Sequence, residues 1–174
     1  LALKRYPVED YERLLPYPLT GAQRRVMEEV GRDLEGGHPM NRLVQGDVGS
    51  GKTAVAGYGA WLCAKNGCQC ALMVPTELLA EQHFRSLSAL LGPAGVRTAL
   101  LIGSKRPAEK KALQEDIANG RFDLVVGTHA LLSEGVSFPG LGLVVADEQH
   151  RFGVAQRAGL SAKAGGAAPH VLVM

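Results

Sequence analysis

Aromatic side chains are scarce in this chain. Phenylalanine, tyrosine and tryptophan make up 5% of 174 residues, with a single tryptophan. Any core must therefore be built from leucine, valine and alanine, which suits a parallel sheet covered by helices. Cysteine is nearly absent as well. The three present (Cys63, Cys68 and Cys70) are odd in number, and their C-x4-C-x-C spacing matches no zinc pattern, so reduced thiols are expected. Charge of one sign is missing too, because a net +2 is too close to neutral to argue for any partner. A role with nucleic acid must then rest on local sites. The longest apolar runs are strand-sized, so no transmembrane span and no membrane partner are expected. Leu1-Ala-Leu-Lys-Arg-Tyr-Pro7 is no signal peptide, and a cytoplasmic setting is expected. It also lacks an initiator methionine, which reads as an excised fragment.

At 174 residues and 46% hydrophobic, the chain is long enough for one domain with a real core. Residues 1–20 are rich in proline and tyrosine and read as an N-terminal connector, with a short helical possibility over 8–15. Thr20 then caps a helix running from Gly21 to about Leu34, ended by Gly36-Gly37. A regular alternation follows. Strand 42–45 leads to helix 52–65, strand 69–74 to helix 77–91, and strand 97–101 to helix 107–119. Strands 122–126, 141–146 and 170–174 complete the pattern. Repeated strand–helix units of this length predict an α/β fold with a doubly wound parallel sheet and ligands at the carboxyl ends of the strands. His170-Val-Leu-Val-Met174 reads as a core strand, after which more protein is expected.

The most specific signal is Gly46-Asp47-Val48-Gly49-Ser50-Gly51-Lys52-Thr53, a complete G-x-x-x-x-G-K-[ST] loop between a strand and a helix. Successive backbone N–H groups in such a loop turn inward and cradle phosphate oxygens. The lysine reaches the outer phosphates, and the threonine hydroxyl takes a place on Mg²⁺. Composition alone gives on the order of 1% for an accidental match, and the strand–loop–helix context lowers it further. A second site, Leu143-Val-Val-Ala-Asp147-Glu148, is an apolar strand delivering two carboxylates at its carboxyl end. Behind a phosphate loop in the same sheet, Asp147 can hold Mg²⁺ through water, while Glu148 orients and deprotonates the water that attacks the γ-phosphorus. A small-molecule kinase of the phosphate-loop class has no use for that adjacent glutamate, so the pair argues for ATP hydrolysis.

Four shorter segments carry two readings each. Gln23 stands three residues after Thr20, as either a capping-box glutamine or an adenine-reading amide. In Pro75-Thr-Glu-Leu-Leu-Ala-Glu-Gln-His83, Thr76 is an ordinary N-cap or a hydroxyl placed to hold a backbone phosphate. Gly127-Thr128-His129 repeats that choice at another strand end. Arg151-Phe152-Gly153-Val154, with Gln156 and Arg157, is a coupling element or a surface turn.

Together these residues resemble the N-terminal motor half of superfamily 2 helicases. The resemblance covers about Pro16 to Met174. Its specific parts are Leu43 through Thr53, Pro75 through His83, Val126-Gly-Thr-His-Ala130, Asp147-Glu-Gln-His-Arg-Phe-Gly-Val154 and the entry Pro18-Leu-Thr-Gly-Ala-Gln23. Within that superfamily it is most similar to branch migration helicases. Asp-Glu-Gln-His and Gly-Ser-Gly tilt the comparison that way, although transcription-repair coupling translocases share most of the motifs. The resemblance implies a three-layer RecA-like sandwich with residues 21–174 as the first motor domain. It also implies ATP and Mg²⁺ as cofactors, translocation on branched or forked double-stranded DNA in repair and recombination, and a second RecA-like domain and a wedge domain elsewhere in the same protein. It puts Gln23 on adenine, Gln149 and His150 in coupling, and Thr76, Gly127 and Thr128 against the DNA backbone. The phosphate loop supplies the sharpest test. Titration of the chain with an ATP analogue and Mg²⁺ should show weak binding that Lys52→Ala removes.

Overall fold

The computed structural model describes residues 2–36, 38–44, 50–147, 159, 162–163 and 169–174. The expected alternation is present. In chain order the elements are α1 (Val8–Glu12), α2 (Gly21–Glu35), β1 (Asn41–Leu43), α3 (Ser50–Lys65), β2 (Gln69–Met73) and α4 (Glu77–Leu91). They continue with β3 (Thr98–Leu101), α5 (Pro107–Ala118), β4 (Leu124–Gly127), β5 (Leu141–Ala146) and β6 (His170–Val173). Two 3-10 turns, Gly92–Ala94 and His129–Leu132, were not anticipated. Boundaries differ by a few residues for local reasons. The helix expected over 8–15 stops at Glu12, because the amides of Leu14 and Leu15 fold back three residues onto Tyr11 and Glu12 ahead of Pro16. The strand expected from 122 starts at Leu124, since the Phe122 carbonyl accepts instead from the Gln69 side chain at 3.0 Å.

The six strands lie in the order β1-β6-β5-β2-β4-β3, and every pairing is parallel. Right-handed crossovers explain which helices cover which face. The chain moves across the sheet from β1 to β2 to β3, so α3 and α4 share one face. It then reverses through β4, β5 and β6, which puts α5 and the turn at His129–Leu132 on the other. The two cores follow the strand alternation. Cys70, Leu72, Val74, Leu143 and Val145 pack under α1 to α4, whereas Ala71, Met73, Val144, Ile117 and Phe138 form the opposite core. One register shift interrupts the pattern. Gln69 pairs with Leu141 but Cys70 pairs with Leu143, so Leu141 joins Val144 on the far face although it has the parity of Leu143.

The segment read as a connector contributes to the core. Leu3, Val8 and Tyr11 are buried against α2 and α3, and Tyr6 packs edge-on to Trp61, centroids 6.1 Å apart. The cysteines are three free, buried thiols. Burial and neighbouring sulfur atoms hold Cys63 and Cys68 well above the ordinary thiol range, which leaves them protonated and unreactive.

β6 is tied to the edge strand β1 by a buried side chain. His170 is fully buried, and its Nδ1 accepts from the Met40 amide at 2.8 Å, just ahead of β1. An accepting Nδ1 requires a neutral ring with its proton on Nε2. His170→Phe would keep the volume and leave that amide without its acceptor, so it should destabilise the fold by about 1–3 kcal/mol. Urea unfolding of the two proteins checks this.

Candidate functional site

Two residues expected to contact phosphate stand at the start of α3. Lys52 and Thr53 are half-buried at its start, and everything from Ala54 to Cys63 is buried. Apart from Ala64 and Lys65 at its far end, α3 is therefore open only at its N-terminal turn among the residues whose burial is described, where unpaired amides favour an anion. Ser50 and Gly51 belong to the same first turn. Gly46, Asp47, Val48 and Gly49 lie outside the described residues.

Asp147 follows β5 directly and is half-buried, with its amide donating to the Met73 carbonyl at 3.2 Å. β6 lies between β1 and β5, so the strand that precedes the loop and the strand that ends in the carboxylate stand two positions apart. At the usual spacing of neighbouring strands that is about 10 Å, enough for phosphate oxygens, a hydrated cation and a water. A threonine hydroxyl and one carboxylate suit Mg²⁺, which keeps several waters and takes one or two protein oxygens beside substrate phosphates. Glu148, Gln149, His150 and the 151–157 segment lie outside the described residues.

The structure adds His83, to which the sequence pattern assigned no role. This half-buried histidine of α4 has its pKa drawn below the ordinary 6.5 by burial, with the nearby Asp147 carboxylate opposing the shift. It also adds a cavity of about 470 Å³ beside the start of α3. Leu14 to Tyr17 form one side and Ala89 and Leu90 of α4 another, with Thr53 and Ala54 in its wall. Helical spacing predicts α4 but not that Ala89 and Leu90 would face residues more than seventy positions earlier.

Gln23 completes a capping box. Its amide donates to the Thr20 hydroxyl at 3.1 Å, and its Oε1 accepts from the Thr20 amide at 2.9 Å. The side-chain NH₂ of a glutamine remains a donor in that arrangement. Thr76 is the N-cap of α4, accepting from the Leu79 amide at 3.2 Å, and a capping hydroxyl likewise keeps its own proton to donate. The next residue, Glu77, accepts from the Ser104 amide at 3.0 Å, tying the loops after β2 and β3 together. Gly127 ends β4, and a Cβ there would run into the Leu101 carbonyl oxygen, so close packing of β3 on β4 alone demands glycine. Thr128 is 7% exposed, and its carbonyl accepts from the Leu131 amide at 3.0 Å. Among the described residues no group of three His, Cys, Asp or Glu could hold a metal, and no helix is long and apolar enough to cross a membrane.

A parallel sheet with a helix starting at Ser50 and an acidic strand end at Asp147 has the layout of a RecA-like helicase domain. The DEAD/DEAH box helicase family model matches residues 20–169, and the chain belongs to that family. Its similarity is more particular still. It is 52% identical to the ATP-dependent DNA helicase RecG of Streptococcus pneumoniae over 92% of this chain and 23% of that protein. For RecG of Mycobacterium tuberculosis the figures are 49%, 93% and 24%. A RecG structure bound to a three-way DNA junction superposes with a TM-score of 0.85 at 41% identity, over 99% of this chain and 23% of that one. The yeast DEAD-box splicing factor Prp28, 13% identical, shares the fold with a TM-score of 0.71 over 95% of this chain and 42% of its own. The chain thus spans about a quarter of the length of these RecG relatives.

The His83 shift makes stability depend on pH. An unfolded chain accepts a proton near pH 6.5, whereas the folded chain resists it, so stability is lost as pH falls through that value. His83→Gln should flatten this loss. Denaturant midpoints of both proteins between about pH 5 and 8, the range in which histidine titrates, would show the difference.

Proposed function

We propose that residues 21–174 form the first motor domain of a RecG-like DNA helicase, which uses ATP hydrolysis to translocate on branched double-stranded DNA. Residues 1–20 lead into this domain and pack on it. The observation carrying this reading is the pairing of Lys52 and Thr53 at the start of α3 with Asp147 at the end of β5, one strand intervening. Identity near 50% over more than nine-tenths of the chain to RecG proteins favours this reading over a coupling translocase or a small-molecule kinase.

In this reading Thr53 and Asp147 hold Mg²⁺, which screens the phosphate charge when bound. Lys52 stabilises the negative charge that develops on the outer phosphates. Glu148 takes the proton of the attacking water as its oxygen bonds to the γ-phosphorus and the bond to the ADP oxygen breaks. Gln23 contacts adenine through its remaining amide donors, and Gln149 and His150 pass the state of the nucleotide to the rest of the motor. Thr76, Gly127 and Thr128 sit on loops at the carboxyl edge of the sheet and contact DNA phosphates independently of sequence. The second RecA-like domain would close over the nucleotide, the wedge domain would split the fork, and the setting is the cytoplasm.

Two measurements on the longer protein test this. Glu148→Gln should keep nucleotide binding and lose turnover, because the amide preserves shape but cannot accept the proton. Thr76→Ala with Thr128→Ala should weaken the stimulation of ATP hydrolysis by DNA and leave nucleotide binding intact. Full DNA-stimulated turnover in that double variant would make both residues plain caps. The chain by itself should hydrolyse ATP barely above background, since an arginine finger supplied from a partner domain is worth roughly 10³–10⁵ in rate.

A further inference from the structure

The hydroxyl of Tyr11 donates a 2.7 Å hydrogen bond to the carbonyl oxygen of Ala54, the residue after Thr53. Tyr11 is fully buried, and burial, with Tyr17 adding to it, pushes its phenol far above the ordinary range, so it stays a donor. The α-helical repeat already assigns the Ala54 carbonyl an amide partner one turn on. The tyrosine is therefore a second donor to an oxygen that the helix supplies by itself.

The helix is shaped to admit it. A Cβ at Gly57 would run into the Tyr11 hydroxyl, and a glycine inside a helix is less stable than alanine unless something needs the space. The phenol ring is held on two sides by residues of α3, with centroids 5.5 Å from Tyr58 and 5.7 Å from Trp61. The next residue of α1, Glu12, accepts from the Leu19 amide at 2.8 Å and from Arg24 at 2.6 Å. α1 is thereby tied to the start of α2, where Gln23 stands. Packing alone would be met by phenylalanine at 11, with alanine at 57 then touching only the ends of Leu87 and Leu90. The pair present gives up that simpler solution for one directed bond beside Thr53.

We propose that Tyr11 is a positioning residue for the nucleotide site. Its bond to the Ala54 carbonyl sets the tilt of the first turns of α3, so that the helix amides, Lys52 and Thr53 are held ready for phosphate before nucleotide arrives. Any displacement of α1 then acts on nucleotide affinity through this bond. The proposal rests on the reading that Lys52 and Thr53 hold the phosphates.

The test uses the 174-residue chain, a fluorescent non-hydrolysable ATP analogue with Mg²⁺, and thermal unfolding of the same samples. Tyr11→Phe keeps the ring and removes the donor. It should bind the analogue about three- to tenfold more weakly, the usual net worth of one hydrogen bond. Combining Tyr11→Phe with Gly57→Ala should leave affinity at the weakened level whatever the melting temperature does, because the contacts of a Cβ there with Leu87 and Leu90 decide stability alone. A purely structural tyrosine would instead show affinity unchanged in Tyr11→Phe, or recovered along with stability in the double variant, and either result overturns the proposal. Lys52→Ala separates the two levels of the argument. If it binds as wild type does, the phosphate reading falls and this proposal with it. If it loses binding while Tyr11→Phe does not, the proposal alone falls.

Discussion

The burial of α3 from Ala54 to Cys63 is the constraint on which the rest of this structure depends. From Ala54 to Cys63 no residue of the helix reaches solvent, so its position is dictated from every side by the sheet, α1, α2 and α4. A helix apolar all round can be enclosed in this way only if its neighbours approach closely. Glycine makes that possible at three places. Gly57 admits the Tyr11 hydroxyl, Gly59 lies against Leu143 of β5, and Gly31 of α2 leaves room for Tyr58. The cost is visible in the Tyr58 hydroxyl, which is buried with no hydrogen-bond partner among the described residues. The return is a helix held rigidly behind its N-terminal turn, which stays open to a ligand.

The parallel sheet turns that fixed helix into a site. Right-handed crossovers and one reversal of direction bring β6 between β1 and β5. The turn proposed to bind phosphate and the carboxylate of Asp147 are consequently held apart by a strand. Were β1 and β5 direct neighbours, about 5 Å would separate them, too little for a phosphate, a hydrated cation and an attacking water in line. His170 secures this arrangement by accepting the Met40 amide beside β1.

Several residues at the carboxyl edge satisfy helix ends and still have donors to offer. Thr20 and Gln23 close the start of α2, and Thr76 closes α4. A cap that accepts from a backbone amide keeps its own hydroxyl or NH₂ hydrogens. Capping and ligand contact are therefore compatible roles for the same side chain, and the geometry of a cap is no argument against a second partner. Gly127 differs, because the Leu101 carbonyl excludes any side chain there whatever else the loop does.

Local chemistry in the sequence was sufficient for the alternation of strands and helices, the helix that begins at Ser50, the strand end at Asp147 and the caps at Thr20 and Thr76. Each is written within a few consecutive residues, where periodicity, turn chemistry and capping operate. What only the tertiary structure decided involves residues far apart in the chain. The place of β6 between β1 and β5, the flip of Leu141 to the far face, the approach of His83 to Asp147 and the bond from Tyr11 to Ala54 all belong here. Gly57 shows the reason most plainly. In the sequence it is a weak residue inside a helix, and its meaning lies in a tyrosine 46 positions earlier that no local rule connects to it. Local free energies specify elements, whereas the contacts that align Lys52 and Thr53 with Asp147 exist only once the crossovers have closed and α3 has been enclosed.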